Sequence, residues 1–596
     1  MGGRPGYEFF KSDSNYLYTI CQWFPRMAMY NDVYGWQNKQ FLGRGEFTLD
    51  FGDYDVRITV PSDHIVAATG ELQNSMEVLT SAQIKRLKQA RASDEPVIII
   101  TQGEAEKNEK SRSKKFKTWR YKAKNVRDFA FTSSRKFIWD AMGIRLGSRT
   151  IMAMSYYPKE ANPLYERYST RAVAHTVRVY SKYTFDYPYP VAISVEANNG
   201  MEYPMICFNY GRPEKDGTYS ERIKYGMISV IIHEVGHNYF PMIVNSDERQ
   251  WTWMDEGLNS YLQFLTEQEW DREYPSRRGP PQNIVTYMKG NKNNLTPIMT
   301  NSESIYQFGN NAYGKPATAL NILRETIVGR ELFDFAFKEY SKTWMFKHPT
   351  PSDFFRILEN ASAVDLDWFW RGWFYGTDPV DLSIDRVTWY TLDSKNPEVE
   401  FPLRKQKKDE EPVQTWQERN EIDIQETVVE TDEIANDFYN KFDPYEVTIL
   451  DKEEFIKYRD SSVVEPREKE IYNSNLNYYE IKFSNVGGLV MPIILQLNYK
   501  DSTDYIIKIP AEIWKMNRNQ ITKIFATKKQ VTSFTLDPRL ETADIDLVNN
   551  HWPRKMIQSK FELYKSKKYN RHKIYKENKM QIKIRADKKL EEKKNK

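Results

Sequence analysis

The chain has 596 residues, 40% of them hydrophobic and 28% charged. That is the composition of a folded protein of several domains, and it excludes wholesale disorder. Its apolar runs all fall short of the ~18 residues that a membrane-spanning helix needs, and its two cysteines, Cys21 and Cys207, cannot form a disulfide framework or a thiolate metal cluster. A metal site would have to use His, Asp or Glu, and there are only seven histidines.

The net charge of +4 hides two opposed blocks. Residues 551–596 hold 17 Lys+Arg against 5 Asp+Glu, and residues 409–437 hold 11 acids against the single base Arg419. Both blocks read as solvated segments. A basic tail can also meet nucleic acid or anionic lipid, but no nucleic-acid-binding fold surrounds it, and no specific nucleic-acid partner is expected. The start, MGGRPGYEFF, lacks the apolar core of an export signal.

In chain order, residues 1–145 read as a β domain. Phe47, Leu49 and Phe51 alternate with polar neighbours, as do Val56, Ile58 and Val60. The charge-dense stretch 104–125 predicts an exposed hairpin or loop. From 146 to 395 the pattern turns helical. One helix is expected over 220–240, with Thr218 and Glu221 spaced as a capping box. Others are expected over 254–270, from Tyr313 through Leu323, and over 352–373, where Trp368, Phe369, Trp370 and Trp373 suggest core. Residues 396–440 read as a charged linker. Alternation returns at Ile493, Leu495 and Leu497, then at Tyr505, Ile507 and Ile509, then at Phe534 and Leu536, which suggests a β-sandwich over 441–550. The tail is 551–596. The fold class is α+β and multidomain, with β regions flanking a mainly helical middle.

The chemistry is concentrated at residues 233–237, His-Glu-Val-Gly-His. On a helix, residues i and i+4 share a face, so His233 and His237 can reach one metal ion. Glu234 beside them can accept a proton from water at that ion. Glu256 follows His237 with eighteen residues between, in Trp-Met-Asp-Glu-Gly at the start of the next helix. Two helices joined by such a loop can return its carboxylate to the same ion. Two histidines and a glutamate with an open fourth position make the ligand set of a catalytic zinc site.

These motifs resemble those of the aminopeptidase N and leukotriene hydrolase family of zinc metallopeptidases. Gly200-Met201-Glu202-Tyr203-Pro204 is similar to that family's Gly-x-Met-Glu-Asn loop, with Tyr203 in place of Asn. Tyr313, in Ala-Tyr-Gly-Lys-Pro, is similar to its oxyanion-binding tyrosine, with Pro316 in place of a glycine and Tyr306 as the rival. Gln22, in Ile-Cys-Gln-Trp, resembles the β-domain residue that helps hold the substrate amine. Residues 238–242, Asn-Tyr-Phe-Pro-Met, depart from the family's Gln-Trp-Phe-Gly-Asn and leave the packing behind the ligands open.

The resemblance implies a thermolysin-like catalytic domain and a bacterial-type architecture whose first β domain is incomplete here. A lost start would carry any export signal, so the compartment stays open; at face value it is cytoplasmic. The resemblance also implies one Zn²⁺ on His233, His237 and Glu256, with Glu234 as general base and acid. Tyr313 would stabilise the oxyanion. Glu202, with Gly200, Met201 and Gln22, would bind a peptide with a free N-terminus. Two alternatives stand beside this reading: a thermolysin-like endopeptidase, and a non-catalytic scaffold that keeps the fold. The preferred N-terminal residue and the oligomeric state are not legible.

Overall fold

The computed structural model describes residues 15–31, 33–474, 476–556 and 577–594. The N-terminal region is built from short antiparallel pairings. Strand β1 (Tyr18–Ile20) pairs with β6 (Phe131–Ser134), and β6 with β3 (Ile65–Ala68). Strand β2 (Gly52–Pro61) pairs along its length with β5 (Phe116–Val126).

Two expectations change here. Residues 47–51 are not a strand; their alternation serves a loop tied to the helical domain, with Phe47 N–H donating to the Glu248 carboxylate and the Asn245 amide donating to the Leu49 carbonyl. The 104–125 stretch is no loop either. It holds helix α1 (Gln102–Ser111), started by a Thr101–Glu104 capping box, and then β5, which buries Trp119, Tyr121 and Ala123 on one face. Charged residues on the outer faces masked both elements.

A six-stranded mixed sheet underlies the helical domain. It contains β4 (Val97–Ile100), β7 (Ile138–Leu146), β8 (Arg149–Tyr157), β9 (Val191–Glu196), β10 (Met201–Tyr203) and β11 (Ile206–Asn209), in the order β10-β11-β9-β8-β7-β4. The β7–β8 hairpin straddles residue 145, so this sheet draws on both sides of the expected boundary. Helix α2 (Leu164–Tyr183) lies on it, and β10, at its edge, carries Glu202.

Helix α3 (Glu221–Gly236) follows. It is capped by Ser220, whose hydroxyl accepts from Ile223 N–H, rather than by Thr218, which donates to the nearby Asp216. It buries Met227, Ile228, Ile231, Ile232 and Val235 against the core. Helix α4 (Leu258–Trp270) packs beside it, preceded by a π-helical turn at Trp253–Gly257. A second π-helical turn, Gly309–Gly314, leads into α5 (Lys315–Ile322). The single helix expected over 352–373 is two, α6 (Pro351–Ser362) and α7 (Asp367–Trp373); Phe369, Trp370 and Trp373 are core as expected, and Trp368 is half-buried against them.

The C-terminal β region has two sheets, as expected for a sandwich, but its first strand, β12 (Leu382–Thr391), comes from before the acidic stretch. It pairs with β13 (Asn477–Asn485), and β13 with β16 (Gln520–Thr527). The facing sheet holds β14 (Ile493–Tyr499), β15 (Asp504–Ile509), β17 (Val531–Leu536) and β18 (His551–Trp552). Between β12 and β13 the chain forms short, exposed helices as far as residue 473, well past the linker end expected at 440. Residues 557–576 and 595–596 of the basic tail lie outside the described residues. The tail's last described part is α8 (Lys579–Lys594), and residues at its start bond the 216–221 loop: Asn578 to Thr218, Lys579 to Glu221 and Gln581 to Asp216. No helix among the described residues is long and apolar enough to cross a membrane.

Candidate zinc centre and substrate cleft

α3 brings His233 and His237 onto one face, and the π-helical turn before α4 returns Glu256 to meet them. The three ligand atoms converge: His233 Nε2 lies 2.9 Å from Glu256 Oε2 and 3.1 Å from His237 Nε2, and His237 Nε2 lies 3.3 Å from the same Glu256 oxygen. Tetrahedral ligands about 2.0–2.1 Å from an ion stand roughly 3.3 Å apart. The outer nitrogens are committed. His233 Nδ1 lies 2.9 Å from Gln263 Oε1, and the Gln263 amide nitrogen donates to Ser229 O and Glu267. His237 Nδ1 faces the Phe240 carbonyl at 2.9 Å and Asp255 at 2.9 Å. With the protons on Nδ1, both Nε2 lone pairs and one carboxylate oxygen point at one place. That donor set fits a divalent ion such as zinc, and leaves neither thiolate nor backbone to supply.

The helices are held close by residues with no room to spare. A Cβ on Gly236 would run into the Tyr180 hydroxyl and the Asn259 amide. Tyr180 donates to Asn259 Oδ1 at 2.7 Å, and Asn259 Nδ2 donates to the His233 carbonyl at 2.8 Å. A Cβ on Gly257 would stand 2.6 Å from Pro316 Cγ. Pro316 therefore packs the turn carrying Glu256 against the turn carrying Tyr313. π-helical turns are rare and recur at functional sites; here they aim the one ligand and the one hydroxyl that the two histidines do not supply.

Tyr313 donates to Glu256 Oε1 at 2.5 Å, with the Arg278 guanidinium 4.1 Å from its ring centre. Its rival Tyr306 is exposed and away from the cleft. Glu234 and Glu202 are buried, and with His237 their ligand atoms fall within 4.8 Å of one another. Burial and then the Glu202 charge push the Glu234 carboxyl well above its usual range. Glu202 Oε1 is buried with no hydrogen-bond partner. Gly200 is small because Glu234 is beside it: a Cβ there would collide with the Glu234 carboxylate. Burial pulls His233 down to about 4, so its ring is neutral at ordinary pH, as a ligand must be.

All these groups line one cleft of about 640 Å³, with Gly200, Met201, Glu202, His233, Glu234, His237, Glu256 and Tyr313 in its wall. Gln22 lines a chamber of about 400 Å³ that opens beside Met201, Glu256 and Tyr313, and its amide donates to the Tyr203 hydroxyl at 3.1 Å. Apart from Tyr306, the site residues expected from the sequence therefore gather around one place.

Residues 169–373 match the peptidase family M1 domain, which spans the ligand helices, the Glu202 strand and Tyr313. These residues belong to peptidase family M1. Curated relatives are similar over part of the chain. Glutamyl aminopeptidase of Sus scrofa is 29% identical over 145 residues, covering 23% of this chain and 15% of that protein. Probable aminopeptidase 2 of Sulfurisphaera tokodaii is 27% identical over 200 residues, covering 32% of this chain and 25% of that protein. The chain thus spans a quarter or less of the length of either relative. Among solved structures, an M1 zinc metallopeptidase from Deinococcus radiodurans is 18% identical with a TM-score of 0.39, over 55% of this chain and 65% of that one. Legionella pneumophila aminopeptidase A in complex with aspartic acid is 12% identical with a TM-score of 0.48, over 83% and 44%.

The sequence reading missed the groups behind the ligands. Gln263 was findable: it lies seven residues after Glu256, two helical turns along the same face. Asn259 and Asp255 flank the same glutamate. Glu46, which also lines the cleft, carries no motif signal and arrives from a loop about 200 residues away.

Proposed function

We propose that the chain is a zinc-dependent aminopeptidase, removing the N-terminal residue of peptides. The observation that supports this most is the pairing, in one cleft, of a converged His233–His237–Glu256 ligand set with the buried and unpartnered Glu202 oxygen. An acceptor without a donor in a buried wall is costly unless its ligand brings one. The α-ammonium of a peptide is such a donor.

His233, His237 and Glu256 would hold the ion, which when bound supplies Lewis acidity toward a water and a peptide carbonyl. Glu234 takes the proton from the attacking water and returns it to the leaving amine. Its raised pKa suits it to hold that proton between the two steps. Tyr313 gives up its bond to Glu256 and donates to the oxygen that becomes negative. Glu202 and Gln22 receive the ammonium and close the upstream end, so that one residue fits before the scissile bond. Gly200 and Met201 lead into the edge strand β10, whose free side can align the substrate backbone.

The test is a panel of aminoacyl anilides, free and N-acetylated, assayed with and without a chelator. Free substrates should turn over, acetylated ones should not, and chelation should abolish turnover. Equal cleavage of both forms would replace this reading with an endopeptidase. No cleavage by zinc-loaded protein would leave a binding scaffold.

A further inference from the structure

One acid of the cleft has no part in this chemistry. Glu46 lies on the loop that reaches from the N-terminal region to the mouth of the M1 domain. Its side chain lines the main cleft, the chamber of about 400 Å³ beside Gln22 and Tyr313, and a further chamber of about 340 Å³. The loop is pinned on both sides of it. Arg249 donates to the carbonyls of Arg44 and Gly45 at 2.8 and 2.7 Å, and Phe47 N–H donates to Glu248 at 3.2 Å. Gly45 has a φ of +65°, and a Cβ there would press on Ser302 at 2.6 Å. Glu46 is therefore held where it is by its backbone.

Its carboxylate has no hydrogen bond or ion pair among the described residues. The charges that act on it most are Glu202, Glu248, Asp255 and Glu256, all acids. The bases lining the two chambers are spent elsewhere. Arg26 pairs with Asp128 at 2.7 Å, Arg249 with Glu303 at 2.7 Å, Arg44 donates to the Ile305 carbonyl at 2.5 Å, and Lys39 reaches Asn301 at 3.4 Å. A partly buried carboxylate among four acids is costly unless a cation joins it. The walls around it include Phe41, Phe47, Phe308 and Tyr313, surfaces on which an aliphatic stem can lie.

We propose that Glu46 reads the first side chain of the substrate, and that the site takes peptides beginning with lysine or arginine. This rests on the aminopeptidase reading above. Glu202 already offers the unpartnered oxygen for the α-ammonium, so a second ammonium or a guanidinium is what Glu46 is left to meet. An acidic first side chain would instead add another negative charge beside these carboxylates.

The test compares kcat/KM for Lys-, Arg-, Leu- and Glu-p-nitroanilide in zinc-loaded wild type and Glu46→Gln. Calorimetric binding of L-argininamide and L-leucinamide to both proteins runs alongside. Wild type should favour Lys and Arg over Leu by about tenfold or more, and Glu least. Glu46→Gln should lose that preference, weaken L-argininamide about tenfold, and leave Leu-p-nitroanilide within about twofold. A wild type that cleaves Leu or Glu as well as Lys and Arg overturns the inference but not the aminopeptidase. So does a Glu46→Gln variant that falls equally on all four substrates, because Glu46 then serves the ammonium or the fold. Failure of wild type on every free substrate overturns the aminopeptidase itself.

Discussion

Gly200→Ala tests the general-base role proposed for Glu234 without changing His233, His237 or Glu256. The Gly200 backbone is not left-handed, so alanine can adopt it; the conflict is with what stands over it. The new Cβ would meet the Glu234 carboxylate well inside contact distance, with Glu234 Cδ at 3.2 Å and Val230 Cγ2 at 3.0 Å. Carbon contacts are relaxed at about 3.5–4.0 Å, so the carboxylate must retreat by roughly 1 Å. That costs little stability, because a carboxylate at the end of a flexible side chain can swing away. It costs catalysis much more, since a misplacement of about 1 Å in a reacting group can lose ~10²-fold in rate. The assay is kcat on a free aminoacyl anilide, with zinc content by atomic absorption and Tm by calorimetry. The expected result is a fall of about 10²-fold in kcat at unchanged zinc and nearly unchanged Tm. A kcat within threefold of wild type would refute the reasoning. Loss of zinc or of the fold would show instead that Gly200 serves the architecture and not Glu234.

Tyr313→Phe should lower kcat by ~10²–10³ with zinc retained, as for loss of one oxyanion donor; single-turnover kinetics would check it. Gln263→Ala leaves His233 Nδ1 without its acceptor and should weaken zinc by about 10–100-fold, measured by competition with a chelator. Lys315 is buried, donates to the Gly376 carbonyl at 2.9 Å, and is pulled down to about 7 by desolvation. Between pH 7 and its unfolded value near 10.5, the unfolded chain binds a proton there that the folded one does not, so this group makes stability rise with pH across that window. Lys315→Met should abolish that rise and raise Tm most at or below pH 7; an unchanged pH slope of Tm would count against a buried neutral lysine.

The local chemistry was legible from order alone, because a helix converts spacing into position. The step of four residues from His233 to His237 is about one helical turn, and nothing outside α3 is needed to put them side by side. Glu256 was suggested by its place at the start of the next helix, though eighteen intervening residues do not by themselves fix its return; Glu202, with thirty residues between it and His233, was legible only through a resemblance. The misread elements share a cause: in 104–125 the exposed charges hid a capped helix and a half-buried strand, and in 47–51 an alternation that looked like pairing was a loop packed on another domain. What tertiary structure alone decided is which groups stand against one another and which lack a partner. Gly200 beneath Glu234, Gln263 behind His233, the orphan oxygen of Glu202 and the unpaired Glu46 are ordinary residues in the sequence. Their meaning depends on burial and on long-range neighbours, and those exist only once separate stretches of chain have closed around the same cleft.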